Sequence, residues 1–380
     1  MTPAVAFLFV RILHLVAGEK WTGAAAVVFD QTAALVAAGV EAQFGFVRES
    51  PLAARLLPLG WARPLLSPAR NPLRYPRDVE SVAATLERER FDIVHCHSSH
   101  DHYVAVAARR FARGNAPNLA RTIHSVDHAR RHPVSRALFR AADALVFANR
   151  AIAKEFGRDG PVHSPVVDLD RFRPGERPVE RLRSLGVPEG SFVVGTVGKL
   201  ALRRGHREAI EVASTLPPDV VLLHVGKGEI RPELESCAAH LGAGARNFWA
   251  GYVENDLPHH YRAMDVLLFP ASGSEQGQRA ILEAMACGIP VVALDVPGVR
   301  DLLTHEREGL VVSRPADMAS ALERLRVDVE ERRGMGERAR TRALEFGPRP
   351  FAAQAREFYA RLLARKSMTS RAWDAGETAG

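Results

Sequence analysis

Short apolar runs alternate with amphipathic helical patterns along almost the whole chain, and this rhythm restricts the fold more than any other feature. RILHLVA is followed by a helix from about Ala24 to Ala38, closed by Gly39, and then by VEAQFGFV. FDIVHCH comes after the helical ESVAATLERER, and Tyr103 to Ala112 reads as helix again. The rhythm restarts at SFVVGTVG and continues through VVLLHVG, ARNFWAG, DVLLFPA, IPVVALD and GLVV. Strands separated by helices build parallel sheets through right-handed crossovers. Two such series predict an α/β chain with two open parallel sheets.

A chain of 380 residues is too long for one ordinary core and fits two domains. SPVVDLDRFRPGERPVERLRSLGVPEG, rich in Pro, Gly and charge, reads as the connection between them. The expected division is residues 1–170 for an N-terminal domain and 171–348 for a C-terminal one. The amphipathic pattern PFAAQAREFYARLLAR then predicts a helix over 349–367 that packs back on the first domain, with 368–380 as a frayed tail.

With 47% hydrophobic and 25% charged residues, the composition excludes a disordered or membrane-embedded chain. No uninterrupted run approaches the roughly 20 apolar residues that a membrane span needs. The apolar start lacks a basic leader and is interrupted by Arg11 and His14, so RILHLVA reads as a buried strand and not as a secretory signal. Cys96, Cys237 and Cys287 are odd in number and scattered, which favours free thiols and a cytoplasmic location. Between Arg109 and Arg140 stand eight arginines, with Asp127 as the single acid. That block reads as a solvated basic face, or as a surface for phosphate-bearing acceptors or anionic lipid at the inner membrane face. LLPLGWARPLLSPARNPLRYP adds Trp61, Arg63, Arg70 and Arg74 to the same domain. No nucleic-acid motif or aromatic interleaving accompanies the charge.

Open parallel sheets bind ligands at the carboxyl ends of their strands, so chemistry is sought just after strands. SEQGQRAILEAMACGIPVVALD, residues 274–295, follows DVLLFPA. Glu275 falls in a strand-end loop, and Arg279 to Cys287 read as a helix ended by Gly288 and Pro290. Glu283 lies in that helix, so the two carboxylates can reach one ligand from different sides. Backbone N–H groups of Gln278, Arg279 and Ala280 at the helix start suit a phosphate, and carboxylates suit sugar hydroxyls. GTVGKLALRRGHREAIE is again strand, loop and helix. Gly195 and Gly198 permit close backbone approach there, while Lys199 with Arg203 or Arg204 offers fixed positive charge to a pyrophosphate, or simply forms a solvated loop.

Together these segments resemble the retaining glycosyltransferases of family 4, which have the GT-B fold of two Rossmann-like domains facing across a cleft. EQGQRAILE matches the family's E-x7-E element and LEAMACGIPVVA its sequel. GKLALRRG is similar to the family's loop that opens with Gly-Arg and closes with Lys-Gly, with Lys199 and Arg204 in place of its Arg and Lys. TIH at 122–124 resembles the strand end whose histidine touches the donor sugar, and VVDLDRFRP the interdomain V-D-x-x-R-F-x-P. The resemblance covers nearly the whole chain.

What the resemblance implies is a metal-independent, retaining transfer from a nucleotide diphosphate sugar, with UDP favoured, to a hydroxyl of a glycan or glycolipid in cell-surface polysaccharide or lipopolysaccharide synthesis. Glu275 would lie beside the donor sugar, Lys199 and Arg204 would clamp the diphosphate, and His124 would contact the sugar. Glu283 would hold the ribose. Tyr252 and Val253 would meet the base, and Gly226 would line the same site. Gly198, Gln278, Arg279 and Gly23 complete the expected donor set, with no cofactor. The chain departs from the family at Gln276 and Gln278, where glycines are usual, at the first loop, which offers Gly23 where a glycine pair is common, and at Pro165 and Val166, where Asn-Gly is usual. A non-catalytic nucleotide-sugar-binding protein of the same fold is the alternative.

A third class comes from FDIVHCHSSHDH. His95, His97 and His100 have the spacing of a metal-dependent hydrolase of metallo-β-lactamase type, but Ser99 stands where its Asp belongs and Asp101 comes one residue late. His95 and His97 also share one face of a strand end, so both can line a site without a metal. The expectation is therefore no metal, with a structural or ligand-lining part for these histidines, including His102.

Overall fold

The computed structural model describes residues 10–18, 24–68, 72–112, 116–125, 133–158, 160–253, 255–271 and 278–377. The chain divides into two compact units, residues 1–166 with 348–380, and residues 167–347. No helix among the described residues is long and apolar enough to cross a membrane.

The first unit holds a parallel sheet of β1 (Arg11–Leu15), β2 (Glu41–Val47), β3 (Ala62–Leu66), β4 (Ile93–Cys96), β5 (Asn118–Ile123) and β6 (Ala144–Phe147), in the order β3-β2-β1-β4-β5-β6. The second holds β7 (Phe192–Val197), β8 (Val220–Val225), β9 (Asn247–Gly251), β10 (Val266–Phe269), β11 (Val291–Leu294) and β12 (Gly309–Val312), in the order β12-β11-β10-β7-β8-β9. Each order reverses beside the unit's first strand, between β1 and β4 and between β7 and β10. Such switch points are where open sheets leave a crevice.

Both faces of each sheet are covered, and the pleat decides which core a residue joins. Val193, Leu267 and Val291 enter one hydrophobic cluster of the second unit, whereas their neighbours Val194, Leu268 and Val292 enter the other. In the first unit, α1 (Ala24–Ala37), α2 (Tyr75–Glu89) and α3 (Ser99–Arg109) contribute to the layers on the sheet. Along the final helix, Phe351, Ala352, Ala355, Tyr359 and Leu362 are buried at helical spacing, and all but Leu362 join Ile12, Leu35 and Ile93 in one cluster.

Several elements differ from the sequence expectation. The final helix spans Pro348–Glu377 and passes through the stretch read as a frayed tail, because residues 351–375 contain neither Pro nor Gly to stop it. Helix α3 begins at Ser99, not Tyr103, since the Asp101 carboxylate accepts from the Ser98 backbone N–H at 2.7 Å and so serves the helix start. Strands β3 and β6 are additional, the first inside the Trp61 stretch that reads as a basic surface. Arg121 likewise leaves the basic block for the core. It lies on β5, 7% exposed, with its guanidinium 3.6 Å from the Asp101 carboxylate.

Histidines occupy an unusual share of the first unit's interior. His14 and His95 are register partners on β1 and β4, and His97 follows two residues on. His95 reaches Thr122 Oγ1 through Nε2 at 2.8 Å and the Tyr359 hydroxyl through Nδ1 at 2.7 Å, while His14 Nδ1 lies 3.1 Å from His97 Nε2. Burial is the first cause of depressed basicity throughout: His14 is pushed down to about 3 and His163 to about 4, and His95 and His97 fall well below the ordinary imidazole value.

These groups make stability depend on pH in one direction. In the unfolded chain each imidazole titrates near 6.5, whereas in the fold it stays neutral well below that. The unfolded state therefore gains protons first as pH falls from about 6.5 towards 4, and each such histidine removes up to about 1.4 kcal/mol of stability per pH unit. The expected outcome is a melting temperature that falls steeply between pH 7 and pH 5. A transition that stays level across that interval would contradict a neutral histidine core.

Candidate active site

In the second unit the loops after β7, β8 and β9 are laced together by backbone. Gly198 N–H donates to Val225 C=O at 3.0 Å, Leu200 N–H to Lys227 C=O at 3.1 Å, and Gly226 N–H to Gly251 C=O at 2.8 Å. Gly198 and Gly226 take φ of +146° and +152°, which side chains disfavour, and a Cβ on Gly226 would collide with the Gly198 carbonyl. These two sequence-predicted glycines thus let three strand ends meet on one rim.

The predicted cations stand on that rim. Lys199 is about half exposed and its Nζ donates to Glu229 Oε1 at 2.9 Å, a partner in the loop after β8 that no spacing signal announced. Arg204 is partly buried, and burial lowers the basicity of its guanidinium. Gly205, at φ +78°, then starts α4 (His206–Ser214). Tyr252, just past β9, is exposed, with the Lys227 ammonium 4.6 Å from its ring centroid, and Val253 is half-buried against the core. A flat aromatic beside a cation suits a stacked base next to phosphate charge.

Glu283 lies on α5 (Gln278–Ala286) and is 4% exposed. Its Oε2 accepts from the Tyr261 hydroxyl and its Oε1 from Arg279 Nε, both at 2.8 Å. The buried Tyr261 phenol is pushed up by desolvation and by this carboxylate, so it remains a donor. A carboxylate has about four lone-pair sites, so two good bonds leave acceptor capacity on Glu283. The Gln278 side chain is also committed, donating from Nε2 to Pro297 C=O at 2.8 Å. Sequence reasoning missed Tyr261 because its tie to Glu283 joins separate helices. Glu275, Gln276 and Gly23 lie outside the described residues.

His124 belongs to the first unit, directly after β5. Burial, then the nearby Arg121 charge, pushes it down to about 3, and its Nε2 has no hydrogen-bond partner among the described residues. His97, 5.8 Å away between ring centroids, likewise has an unpartnered Nδ1. The hydrolase-like constellation does not assemble. His100 turns to Asp78 at 3.1 Å, Asp101 serves the helix start, and His102 lies in the first turn of α3. Among the described residues the one convergent group is His14, His95 and His97, with ligand atoms within 4.8 Å of one another. Both nitrogens of His95 already face hydrogen-bond partners.

Comparison with known proteins agrees with this architecture. The model for Glycosyltransferase Family 4 matches residues 21–171, and that for Glycosyl transferases group 1 matches residues 180–342. The 2-deoxystreptamine N-acetyl-D-glucosaminyltransferase of Streptomyces fradiae is 30% identical over 264 residues, covering 62% of this chain and 62% of that protein. A D-inositol 3-phosphate glycosyltransferase of Geodermatophilus obscurus is 34% identical over 268 residues, 61% of this chain and 58% of its own length. The chain therefore aligns with somewhat under two thirds of each of these relatives. Among solved structures, Anabaena HepE in complex with UDP superposes with a TM-score of 0.78 at 20% identity, covering 92% of this chain and 100% of that one. The two matching models and the shared architecture show a GT-B fold in which a Glycosyltransferase Family 4 domain is followed by a Glycosyl transferases group 1 domain.

Proposed function

We propose that the chain is a retaining, metal-independent glycosyltransferase that moves a sugar from a nucleotide diphosphate donor to a hydroxyl of a glycan or glycolipid. The observation that carries this reading is the rim of the second unit, where three laced loops bring Lys199, Arg204 and Tyr252 to the ends of neighbouring strands, together with the Glu283 carboxylate on the helix that follows β10, the strand beside β7. Each has a chemical counterpart in such a donor. Glu283, with its orientation fixed by Tyr261 and Arg279, accepts from the ribose hydroxyls. Lys199 and Arg204 neutralise the diphosphate as the glycosyl bond breaks, which supplies the charge stabilisation that a bound cation would otherwise give. Tyr252 faces the base. UDP is favoured as the nucleotide, and HepE has been solved with UDP-glucose.

Glu275 is assigned a place beside the donor sugar by the E-x7-E spacing, and His124 a contact with that sugar. Retention is ascribed to a front-face route in which the departing phosphate oxygen takes the acceptor hydroxyl's proton, so no carboxylate nucleophile is required. The acceptor belongs to the first unit in this reading. Cell-surface polysaccharide or lipopolysaccharide synthesis is the setting it fits, and the exposed arginines of the first unit would rest on an anionic inner membrane face.

Three measurements test the reading. In a thermal-shift screen of UDP, GDP, ADP and their sugars, at least one nucleotide should stabilise the chain, by about 2.7 kcal/mol at 100 times its dissociation constant. A flat response to all of them would remove the donor site. Lys199→Ala should lower turnover about 10²-fold or more, the loss of roughly 2 to 4 kcal/mol of phosphate stabilisation, and parental turnover in that variant would dismiss the clamp. Cosedimentation with anionic liposomes should be strong at low salt and weaken as salt rises. No binding at low salt would rule out the membrane contact.

A further inference from the structure

Beneath the Lys199 loop runs a buried polar chain whose protons can be counted. Asn247 donates from its side-chain nitrogen to Ala243 C=O at 2.8 Å, which leaves Oδ1 to accept from His224 Nε2–H at 2.9 Å. Neutral His224, stacked on Trp249 at 4.0 Å, then has a bare Nδ1 facing Thr196 Oγ1 at 3.1 Å. Only the Thr196 hydroxyl proton can fill that contact. With its proton committed, Thr196 can only accept from His206 Nδ1, 3.4 Å away, while His206 Nε2 faces the Lys199 carbonyl at 3.2 Å. His206 is thus asked for an N–H at both nitrogens, and a neutral imidazole has one. The longer of its two contacts, to Thr196, is the one left without a proton.

We propose that His206 is the positioning residue of the diphosphate loop, holding the Lys199 carbonyl and taking up one proton when an anionic diphosphate binds there, because only the imidazolium satisfies Lys199 and Thr196 together. The inference rests on the nucleotide-sugar reading of this site. In the ligand-free chain burial pushes His206 down to about 4, so it enters binding neutral. Arg204 of its own loop also opposes its charge, and His224 is the titratable group facing it from β8. Lys199 Nζ is engaged with Glu229 from the loop after β8. The helix Arg231–His240 turns Cys237 to Arg207, and the helix Asp317–Val327 meets the opposite end of α4, near Thr215. An anion over the loop offsets the arginine charge and favours the protonated ring. Binding should therefore tighten as pH falls.

The probes are UDP-glucose, GDP-glucose and ADP-glucose, whose bridging diphosphate gains no proton in the working range. Calorimetry at pH 6.5 in two buffers of different ionisation enthalpy counts the protons taken up. The full-length chain should take up a fraction of a proton, and its affinity should rise about threefold or more from pH 8 to pH 6. His206→Gln keeps an N–H for the Lys199 carbonyl but cannot titrate, so its uptake and its pH dependence should vanish. His224→Phe keeps the stack on Trp249 and frees the Thr196 proton for His206 Nδ1, so it should reduce the uptake as well and serves if the first variant fails to fold. Equal uptake by the parent and both folded variants overturns the proposal. If none of the three donors binds the parent, the nucleotide-sugar reading itself has failed, a result visible before any variant is compared.

Discussion

The two sheets bury both of their faces, and that constraint governs everything else in the molecule. A strand such as VVLLHV of β8, buried at every position, has no side to offer a ligand, and neither does IVHC of β4. Only the strand ends remain for chemistry. The second unit answers with glycines that let its loops close on one another, so that cations and an aromatic stand on neighbouring strand ends, and the Glu283 carboxylate lies on the helix that follows the next strand, β10.

Within that rim, rigidity comes from polar groups held beneath it. Glu283 would be a costly buried charge if it stood alone. Tyr261 and Arg279 supply its hydrogen bonds and fix its plane. Thr196, His206, His224 and Asn247 do similar work under the Lys199 loop, with side chains that never reach the surface. The first unit packs its histidines in the same manner, with Thr122 and Tyr359 as partners for His95.

Much of this was legible in the sequence, and the reason is periodicity. All six strands of the second unit stand where their apolar runs begin and end, and the loops that follow them carry the cations and glycines that the spacing singled out. What the sequence concealed falls into two kinds. Short edge strands such as ALVF of β6 are too brief to separate from a helix turn or loop. Partnerships between separate elements leave no local trace at all: Tyr261 with Glu283, Glu229 with Lys199, and Arg121 with Asp101 join residues from 20 to 30 positions apart. The partners of the histidine-rich segment were hidden for the same reason. Ser99 in place of the hydrolase Asp argued against one shared ligand, but nothing local showed that α3 starts at Ser99 and sends His100 towards Asp78, or that His14 arrives from another strand to meet His97.

The final helix has a consequence for the order in which the protein can be made. Phe351, Ala355 and Tyr359 belong to the core laid against β1 and β4, yet the whole of the second unit separates them from those strands along the chain. The first unit's core therefore stays incomplete until the residues from 348 onwards have been made, while the intervening unit, residues 167–347, emerges before them as one continuous segment and can close on its own schedule.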